Sequence, residues 1–159
     1  MRALVGLGSN QGDGPESIGK ALLELARNES VRVGRVSSLY RTAPWGIEAQ
    51  AEFTNAVAEI ETELEPLELL SVLLRVEQQL GRIRNAVRWG PRVIDLDLLC
   101  CDQLQLHTPE LDLPHPRMHQ RAFVLVPLLE LDPETNIPGV GSARHCLEKL
   151  GKSAVERLP

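Results

Sequence analysis

The chain has 159 residues, of which 43% are apolar and 25% are charged, and its formal net charge is -5. This length and composition are typical of one globular domain, so we expect residues 1–159 to form a single domain. The acidic balance excludes a general nucleic-acid coat protein, which needs a broad basic surface, and no apolar run is long enough to span a membrane.

The spacing of apolar residues predicts alternating strands and helices. In chain order we predict a strand over 1–7, a helix over 15–28, strands over 31–42 and 52–64, a helix over 66–81, a strand over 92–101 and a helix over 117–131, followed by a polar tail. Pro15 and Pro66 each favour a helix start. The first six elements fit two split β-α-β halves, which form an antiparallel sheet with helices on one face.

Several patterns argue against other kinds of site. The glycines of GLGSNQGD, Gly6 to Asp13, are spaced GxGxxxG rather than as in a dinucleotide-binding loop. The next segment, GPESIGKA, matches a P-loop as far as its lysine, but Ala21 stands where the motif needs a hydroxyl. Cys100, Cys101 and Cys146 form neither a disulfide framework nor a CxxC pair, so we expect them to be buried. The N-terminus is a poor signal peptide, which indicates a cytoplasmic protein.

The most informative segment is WGPRVIDLDLL, residues 89–99, which carries Asp95 and Asp97 at strand spacing. Alternate residues of a strand share a face, so the two carboxylates lie side by side. They are either ordinary polar residues on a solvated face or ligands of a hard cation such as Mg²⁺. The apolar character of the rest of the strand favours the metal site.

A run of arginines precedes this strand: Arg82, Arg84, Arg88 and Arg92. Such a run is commonly a solvated surface, but Gly81, Gly90 and Pro91 favour a loop that can fold over a ligand. The planar guanidinium binds phosphate oxygens through two hydrogen bonds. Carboxylates for a metal and arginines for phosphate together indicate a nucleoside triphosphate.

Three further features are candidates for the same site. Glu77 lies at the edge of an apolar helix stripe, where its carboxylate either extends to solvent or positions a nearby arginine. His115 and His119 have the spacing of a zinc pair, but no third ligand accompanies them, and a phosphate contact by His115 is the better hypothesis. Phe53 and Asn55 share a strand face and offer a flat heterocycle a stacking surface beside an amide.

Six segments, in their order and spacing, resemble the 6-hydroxymethyl-7,8-dihydropterin pyrophosphokinases of folate biosynthesis. They are GLGSN, SSLYRTAPWG, QAEFTNAV, QLGRIR, WGPRVIDLDLL and LPHPRMHQRAFVLVPLLEL. The resemblance implies an α+β, ferredoxin-like fold, with a four-stranded antiparallel sheet and helices packed on it. It also implies transfer of pyrophosphate from ATP to the pterin hydroxymethyl group, with release of AMP.

The resemblance also implies a role for each matching residue. Asp95 and Asp97 would hold two Mg²⁺ ions and, with Arg82 and Arg92, form the catalytic set. The pterin would bind to Thr42, Pro44, Phe53, Asn55 and Phe123, and ATP to Glu77, Arg84, Trp89, His115 and Arg121.

Some positions depart from certain family members. Leu74, Glu110 and Asp112 replace nucleotide contacts, so we leave them out of the predicted site, and Trp45 replaces a smaller residue at the pterin entrance. We expect a monomer that binds ATP and the pterin, with no nucleic-acid or membrane partner. The alternatives are another Mg²⁺-dependent nucleotidyl or phosphoryl transferase, and a noncatalytic ferredoxin-like ligand-binding module.

Overall fold

The computed structural model describes residues 1–42, 52–81, 93–151 and 154–159. The strands are β1 (Arg2–Ser9), β2 (Val31–Val36), β3 (Tyr40–Thr42), β4 (Phe53–Thr62), β5 (Asp95–Cys101), β6 (Leu106–His107), β7 (Asp112–Leu113), β8 (Asn136–Ile137), β9 (Gly141–Ser142) and β10 (Glu156–Arg157). The helices are α1 (Gly14–Ala26), α2 (Pro66–Gln79), α3 (Ala122–Leu131) and α4 (Ala143–Leu150), with a 3-10 turn at Met118–Gln120.

The main sheet is antiparallel, with β1 between β4 and β5. The predicted strand over 31–42 is divided into β2 and β3, which pair with successive parts of the same edge of β4. Counting them as one, the order of the predicted strands is fourth, first, third, second, which confirms the ferredoxin-like arrangement. The sheet has six strands rather than four, because of this division and because β10 pairs with β3.

The first two helices cover one face of the sheet. Asp13 caps α1 by accepting a hydrogen bond from the Glu16 amide at 3.0 Å, and a reciprocal capping box between Glu65 and Glu68 starts α2. Leucines and isoleucines at helical spacing, including Ile18 and Leu73, pack on the alternate residues of β1, β4 and β5. This layer forms the larger apolar core.

Helices α3 and α4 cover the opposite face, whereas the two helices of the predicted β-α-β halves lie on one face as expected. Leu4 of β1, Val57 of β4 and Leu99 of β5 form a second core with α3 and α4. The central strands are apolar on both faces here, and both faces therefore require a covering layer. The predicted polar tail is wrong, since it contains α4 and strands β8 to β10.

A β-bulge divides β5 into two parts. Val5 pairs with Leu98, whereas the preceding residue, Leu4, pairs with Cys100, so Leu99 is the extra residue. Leu96 and Leu98 consequently lie in the first core, while Leu99 and Cys100 lie in the second. Because of the bulge, the consecutive residues Leu99 and Cys100 both face the second core.

A part-buried polar contact also connects the second layer to the sheet. The hydroxyl of Tyr40 donates a hydrogen bond to Glu130 of α3, and the Ser38 amide donates to the same carboxylate at 2.7 Å. Burial, followed by the hydrogen bond to Glu130, raises the pKa of Tyr40 to about 12.

Elsewhere, Cys100 and Cys101 are buried as expected and Cys146 is half-buried. No helix in the described part of the chain combines the length and apolar character needed to cross a membrane.

Candidate active site

The candidate site lies on the face of the sheet that α3 and α4 cover, beyond the end of their apolar core. On this face Gly8 of β1 stands between Asn55 of β4 and Asp95 of β5, and Gly6 is the cross-strand neighbour of Asp97. Because side chains alternate along a strand, the amide and both carboxylates project from the same surface. The predicted sharing of one face by Asp95 and Asp97 agrees with this register.

On one side of β1, three of the residues predicted to bind the pterin lie together. Thr42 pairs with Phe53 across the β3–β4 ladder. Asn55 is buried, and its side-chain amide donates a hydrogen bond of 3.0 Å to the hydroxyl of Thr42. This bond fixes the amide, so that its carbonyl oxygen is available on the face beside Phe53. The arrangement provides an aromatic surface beside an oriented polar group.

On the other side of β1, a cavity of about 370 Å³ lies at the outer edge of β5, where both carboxylates and residues of α2 line it. Its predicted members are Glu77, Asp95, Asp97, His115 and Arg121. The remaining lining residues are Leu70, Leu74, Leu96, Leu98, Glu110, Leu111, Asp112 and Pro116. The cavity thus combines carboxylates, a histidine and an arginine with an apolar wall, as a nucleotide requires.

Glu77 reaches the strand between the two aspartates. Its side chain is buried at 1% exposure, and its Oε2 atom accepts a hydrogen bond of 2.8 Å from the backbone amide of Leu96. The alternative in which its carboxylate extends to solvent is therefore wrong. β5 pairs only with β1 among the described strands, and Glu77 satisfies an amide that no further strand binds. Glu77 thereby fixes the backbone that carries Asp95 and Asp97.

His115 presents an uncharged ring to the cavity. Burial lowers its pKa to about 4, and the positive charges of Arg121 and Arg117 act in the same direction. The Nδ1 atom accepts a hydrogen bond of 3.1 Å from the backbone amide of Arg117. The proton of the neutral ring therefore resides on Nε2, which makes His115 a hydrogen-bond donor.

Arg121 connects the two sides of the site. It directly precedes α3, and its Cζ atom lies 5.6 Å from the centroid of the Phe123 ring, which is a cation–π distance. Burial lowers the pKa of its guanidinium, while the carboxylates of Asp97 and Asp95 oppose this shift. The arginine stays charged, because even a displaced guanidinium titrates far above neutral pH.

Leu74, Glu110 and Asp112 line the cavity, although sequence reasoning left them out of the site. Leu74 lies one helical turn before Glu77, so the periodicity of α2 could have revealed it. Asp112 lies in β7, and its Oδ1 atom is 3.2 Å from Nδ1 of His107. Glu110 and Asp112 had no comparable signal, because their position depends on how the chain returns toward β5.

Part of the predicted site lies outside the described residues. The residues concerned are Pro44, Trp45, Arg82, Arg84, Arg88, Trp89 and Arg92.

Asp95 and Asp97 are the candidate magnesium ligands. Within the described ranges no cluster of three or more histidine, cysteine, aspartate or glutamate side chains could enclose a metal. Two carboxylates on one face nevertheless suit Mg²⁺, which commonly takes one or two protein carboxylates and completes its shell with water and phosphate oxygens. The residues therefore fit a metal that arrives with a triphosphate.

The family model described as 7,8-dihydro-6-hydroxymethylpterin-pyrophosphokinase (HPPK) matches residues 4–133. The chain belongs to the HPPK family. A 2-amino-4-hydroxy-6-hydroxymethyldihydropteridine pyrophosphokinase of Methylorubrum extorquens is 46% identical over 157 residues, which cover 99% of this chain and 98% of the relative. The Pseudomonas aeruginosa protein of the same name is 42% identical over 162 residues, covering 100% of this chain and 98% of the relative.

Solved structures support the fold independently. A crystal structure of Plasmodium falciparum HPPK-DHPS with pteroate matches 93% of this chain with a TM-score of 0.74, at 15% sequence identity. The matched part is 42% of that longer chain. At this level of identity the likeness shows the HPPK fold alone.

Proposed function

We infer that this chain transfers the pyrophosphate group of ATP to the hydroxymethyl group of 6-hydroxymethyl-7,8-dihydropterin, in folate biosynthesis. Membership of the HPPK family supports this activity. The structural observation that carries the assignment is the division of one sheet face by β1. The Asn55–Thr42 pair lies on one side of this strand and the Asp95–Asp97 pair lies on the other.

The pterin is assigned to the Asn55 side. A pterin is a flat heterocycle with an edge of hydrogen-bond donors and acceptors, and it matches an aromatic ring beside a fixed amide. Phe53 and Phe123 would stack on its faces, while Asn55 and Thr42 would read its edge. Pro44 completes the set that the family resemblance implies.

The triphosphate is assigned to the carboxylate cavity. Asp95 and Asp97 would hold Mg²⁺, proposed as two ions, and a bound metal would neutralise charge on the phosphate oxygens. His115 would donate a hydrogen bond from Nε2, and Arg121 would supply a positive charge. Glu77 would maintain the position of the strand, and the apolar wall would contact the nucleoside.

The chemical step is an in-line displacement at the β-phosphorus of ATP. The pterin hydroxyl oxygen forms the new bond to that phosphorus, the bond from the phosphorus to the oxygen shared with the α-phosphate breaks, and AMP leaves with that oxygen. The hydroxyl proton passes to solvent, since no side chain among the described residues is assigned as a base. Positioning and charge stabilisation supply the catalysis, with Arg82 and Arg92 as the further predicted contributors.

Product identification tests the assignment directly. The protein is incubated with Mg²⁺, ATP and the hydroxymethyl pterin, and the products are separated and identified by mass spectrometry. AMP and a pterin diphosphate in equal amounts are expected. ADP with a pterin monophosphate would indicate an ordinary kinase, and absence of turnover would leave a binding module.

Three further predictions concern the domain organisation, oligomeric state and location of the protein. We propose a single domain over 1–159, a monomer and a cytoplasmic location, where the ATP consumed by the reaction is available. Light scattering of the purified chain measures the oligomeric state, and a dimer would overturn that part of the proposal.

A further inference from the structure

Two glycines of β1 separate the two halves of the active site. Gly8 lies between Asn55 and Asp95 in the sheet, and Gly6 lies between Val57 and Asp97. Neither glycine has a φ in the left-handed region, so the backbone conformation does not require glycine at these positions. Glycine within a strand weakens it and commonly marks a place where another group approaches the backbone. A steric requirement for glycine at either position would therefore come from the space above the strand.

The spaces above the two glycines differ. A Cβ atom added at Gly8 would lie 3.0 Å from the Oδ1 atom of Asn55 and 4.0 Å from the Cδ1 atom of Phe53. The three nearest atoms to a Cβ atom added at Gly6 all belong to the side chain of Leu99, and the nearest is at an ordinary contact distance of 3.6 Å. A methyl group is thus crowded at Gly8, among residues assigned to the pterin, and accommodated at Gly6.

The distance that the substrate must span gives this difference a functional meaning. Adjacent strands lie about 4.8 Å apart, so β4 and β5 are separated by about 10 Å with β1 between them. A pterin bound at Asn55 must extend its hydroxymethyl group over β1 to reach a phosphate held at Asp95 and Asp97. Gly8 occupies the position directly between Asn55 and Asp95, on this route.

We propose that Gly8 is a positioning and specificity residue of the pterin site. Without a side chain, it allows the carbonyl oxygen of Asn55 to lie against the strand and allows the hydroxymethyl arm to cross bare backbone toward the phosphates. The proposal rests on the proposed function, since it presumes the pterin and triphosphate halves. It predicts that Gly8 determines use of the pterin and has little influence on ATP.

The test compares Gly8→Ala with the control Gly19→Ala in the full-length chain, because Gly19 of α1 lies outside the proposed site and a Cβ atom added there meets nothing within 4 Å. With Mg²⁺ present, KM and kcat are measured for each substrate separately. For Gly8→Ala we expect kcat/KM for the pterin to fall about tenfold or more, because small displacements of reacting groups cost large factors in rate. Its KM for ATP should stay within about twofold of wild type. Gly19→Ala should retain both parameters.

The result that overturns the proposal is equal loss in both variants, or a Gly8→Ala protein that uses the pterin normally. A parallel rise of the KM for ATP would also overturn it, because a general distortion of β1 would affect both substrates. If the wild-type protein releases no AMP, the proposed function itself has failed, and this outcome is distinct from any difference between the variants.

A second measurement needs no variant and keeps the proposal testable if Gly8→Ala does not fold. The wild-type protein is labelled with ¹³C and ¹⁵N and bound to the pterin, Mg²⁺ and a nonhydrolysable ATP analogue. We expect nuclear Overhauser contacts between the hydroxymethyl protons of the ligand and the Hα protons of Gly8. Contacts of the ring alone, with none from the hydroxymethyl group to Gly8, would overturn the proposal.

Discussion

The two glycines of α1 provide a sharp test of how closely this helix packs on the strand that carries Asn55. Gly14 is the first residue of α1 and is buried. A Cβ atom added there would lie 2.5 Å from Oγ1 and 2.8 Å from Cβ of Thr54. Since Cβ of Thr54 is attached directly to the backbone of β4, the clash cannot be relieved by rotating a flexible side chain. At Gly19, in the same helix, an added Cβ atom meets nothing within 4 Å.

Gly14→Ala should therefore lower the free energy of unfolding by about 1–3 kcal/mol, the usual cost of overpacking a core. Gly19→Ala should raise it by up to about 1 kcal/mol, because alanine is the better helix former. The predicted difference of about 1–4 kcal/mol corresponds to a factor of roughly 5 to 900 in the unfolding equilibrium constant.

Urea unfolding followed by far-ultraviolet circular dichroism measures both values, with wild type and the two variants at equal concentration. The denaturant slope should be the same for all three, so that a shift in midpoint reports stability alone. The reasoning is refuted if Gly14→Ala is as stable as Gly19→Ala. Activity per folded molecule of Gly19→Ala should equal that of wild type, because this residue lies outside the proposed site.

Four further predictions concern individual side chains. Asp97→Asn should reduce Mg²⁺-dependent turnover by about 100-fold or more with little change in the unfolding midpoint, since it removes a charge proposed to hold the metal. Thr42→Val should raise the pterin KM by about tenfold and leave the ATP KM unchanged, because the buried Asn55 amide loses its acceptor. In the free protein, the ring of His115 should stay neutral down to about pH 4 when followed by NMR. The unfolded chain binds a proton to this histidine near its ordinary pKa of 6.5, so its effect lowers stability as the pH falls from 6.5 toward 4. Tyr40, the only tyrosine, should ionise near pH 12 by ultraviolet absorbance, so the stability it contributes is complete below its ordinary pKa of 10 and is lost as the pH rises toward 12.

Each of these four has an outcome that contradicts it. Full turnover of Asp97→Asn at the Mg²⁺ concentration that just saturates the wild type would remove this residue from the proposed metal site. For Thr42→Val, the matched control Thr42→Ser keeps the hydroxyl, and equal losses in both would show that the methyl group matters instead. A ring of His115 that titrates near 6.5 would show that it is solvated in the free protein. If Tyr40 ionises at the same pH in the folded protein as in the urea-unfolded chain, its bond to Glu130 does not persist in solution.

The local features of the site could be predicted because they follow from short-range periodicity. The shared face of Asp95 and Asp97 follows from strand alternation alone, and the helix starts at Pro15 and Pro66 follow from chain chemistry. These predictions need no knowledge of which strands are neighbours. The segments that matched the family then related Asn55 and Phe53 to the pterin.

Features that depend on distant pairing could not be predicted in this way. The contact from Glu77 to the Leu96 amide requires knowing that α2 packs against the outer edge of β5. The second helical layer could not be placed from the sequence, because an apolar position such as Leu4 or Val57 does not reveal which element covers its face of the sheet. Glu110 also could not be predicted as a cavity residue, because its position depends on the path of a loop rather than on a local pattern.

The hydrogen bond from Leu96 to Glu77 also bears on how the protein avoids aggregation. The outer edge of β5 would otherwise offer unpaired amides and carbonyls to a strand of another molecule. Glu77 occupies one such amide, and the His115 amide donates to the carbonyl of Leu99 at 2.8 Å farther along the same edge. Both residues are also proposed to bind the nucleotide. Solubility therefore constrains Glu77 as well as the active site does, because loss of its carboxylate exposes an amide at a sheet edge, whereas the His115 contact is made by the backbone and survives a change of side chain.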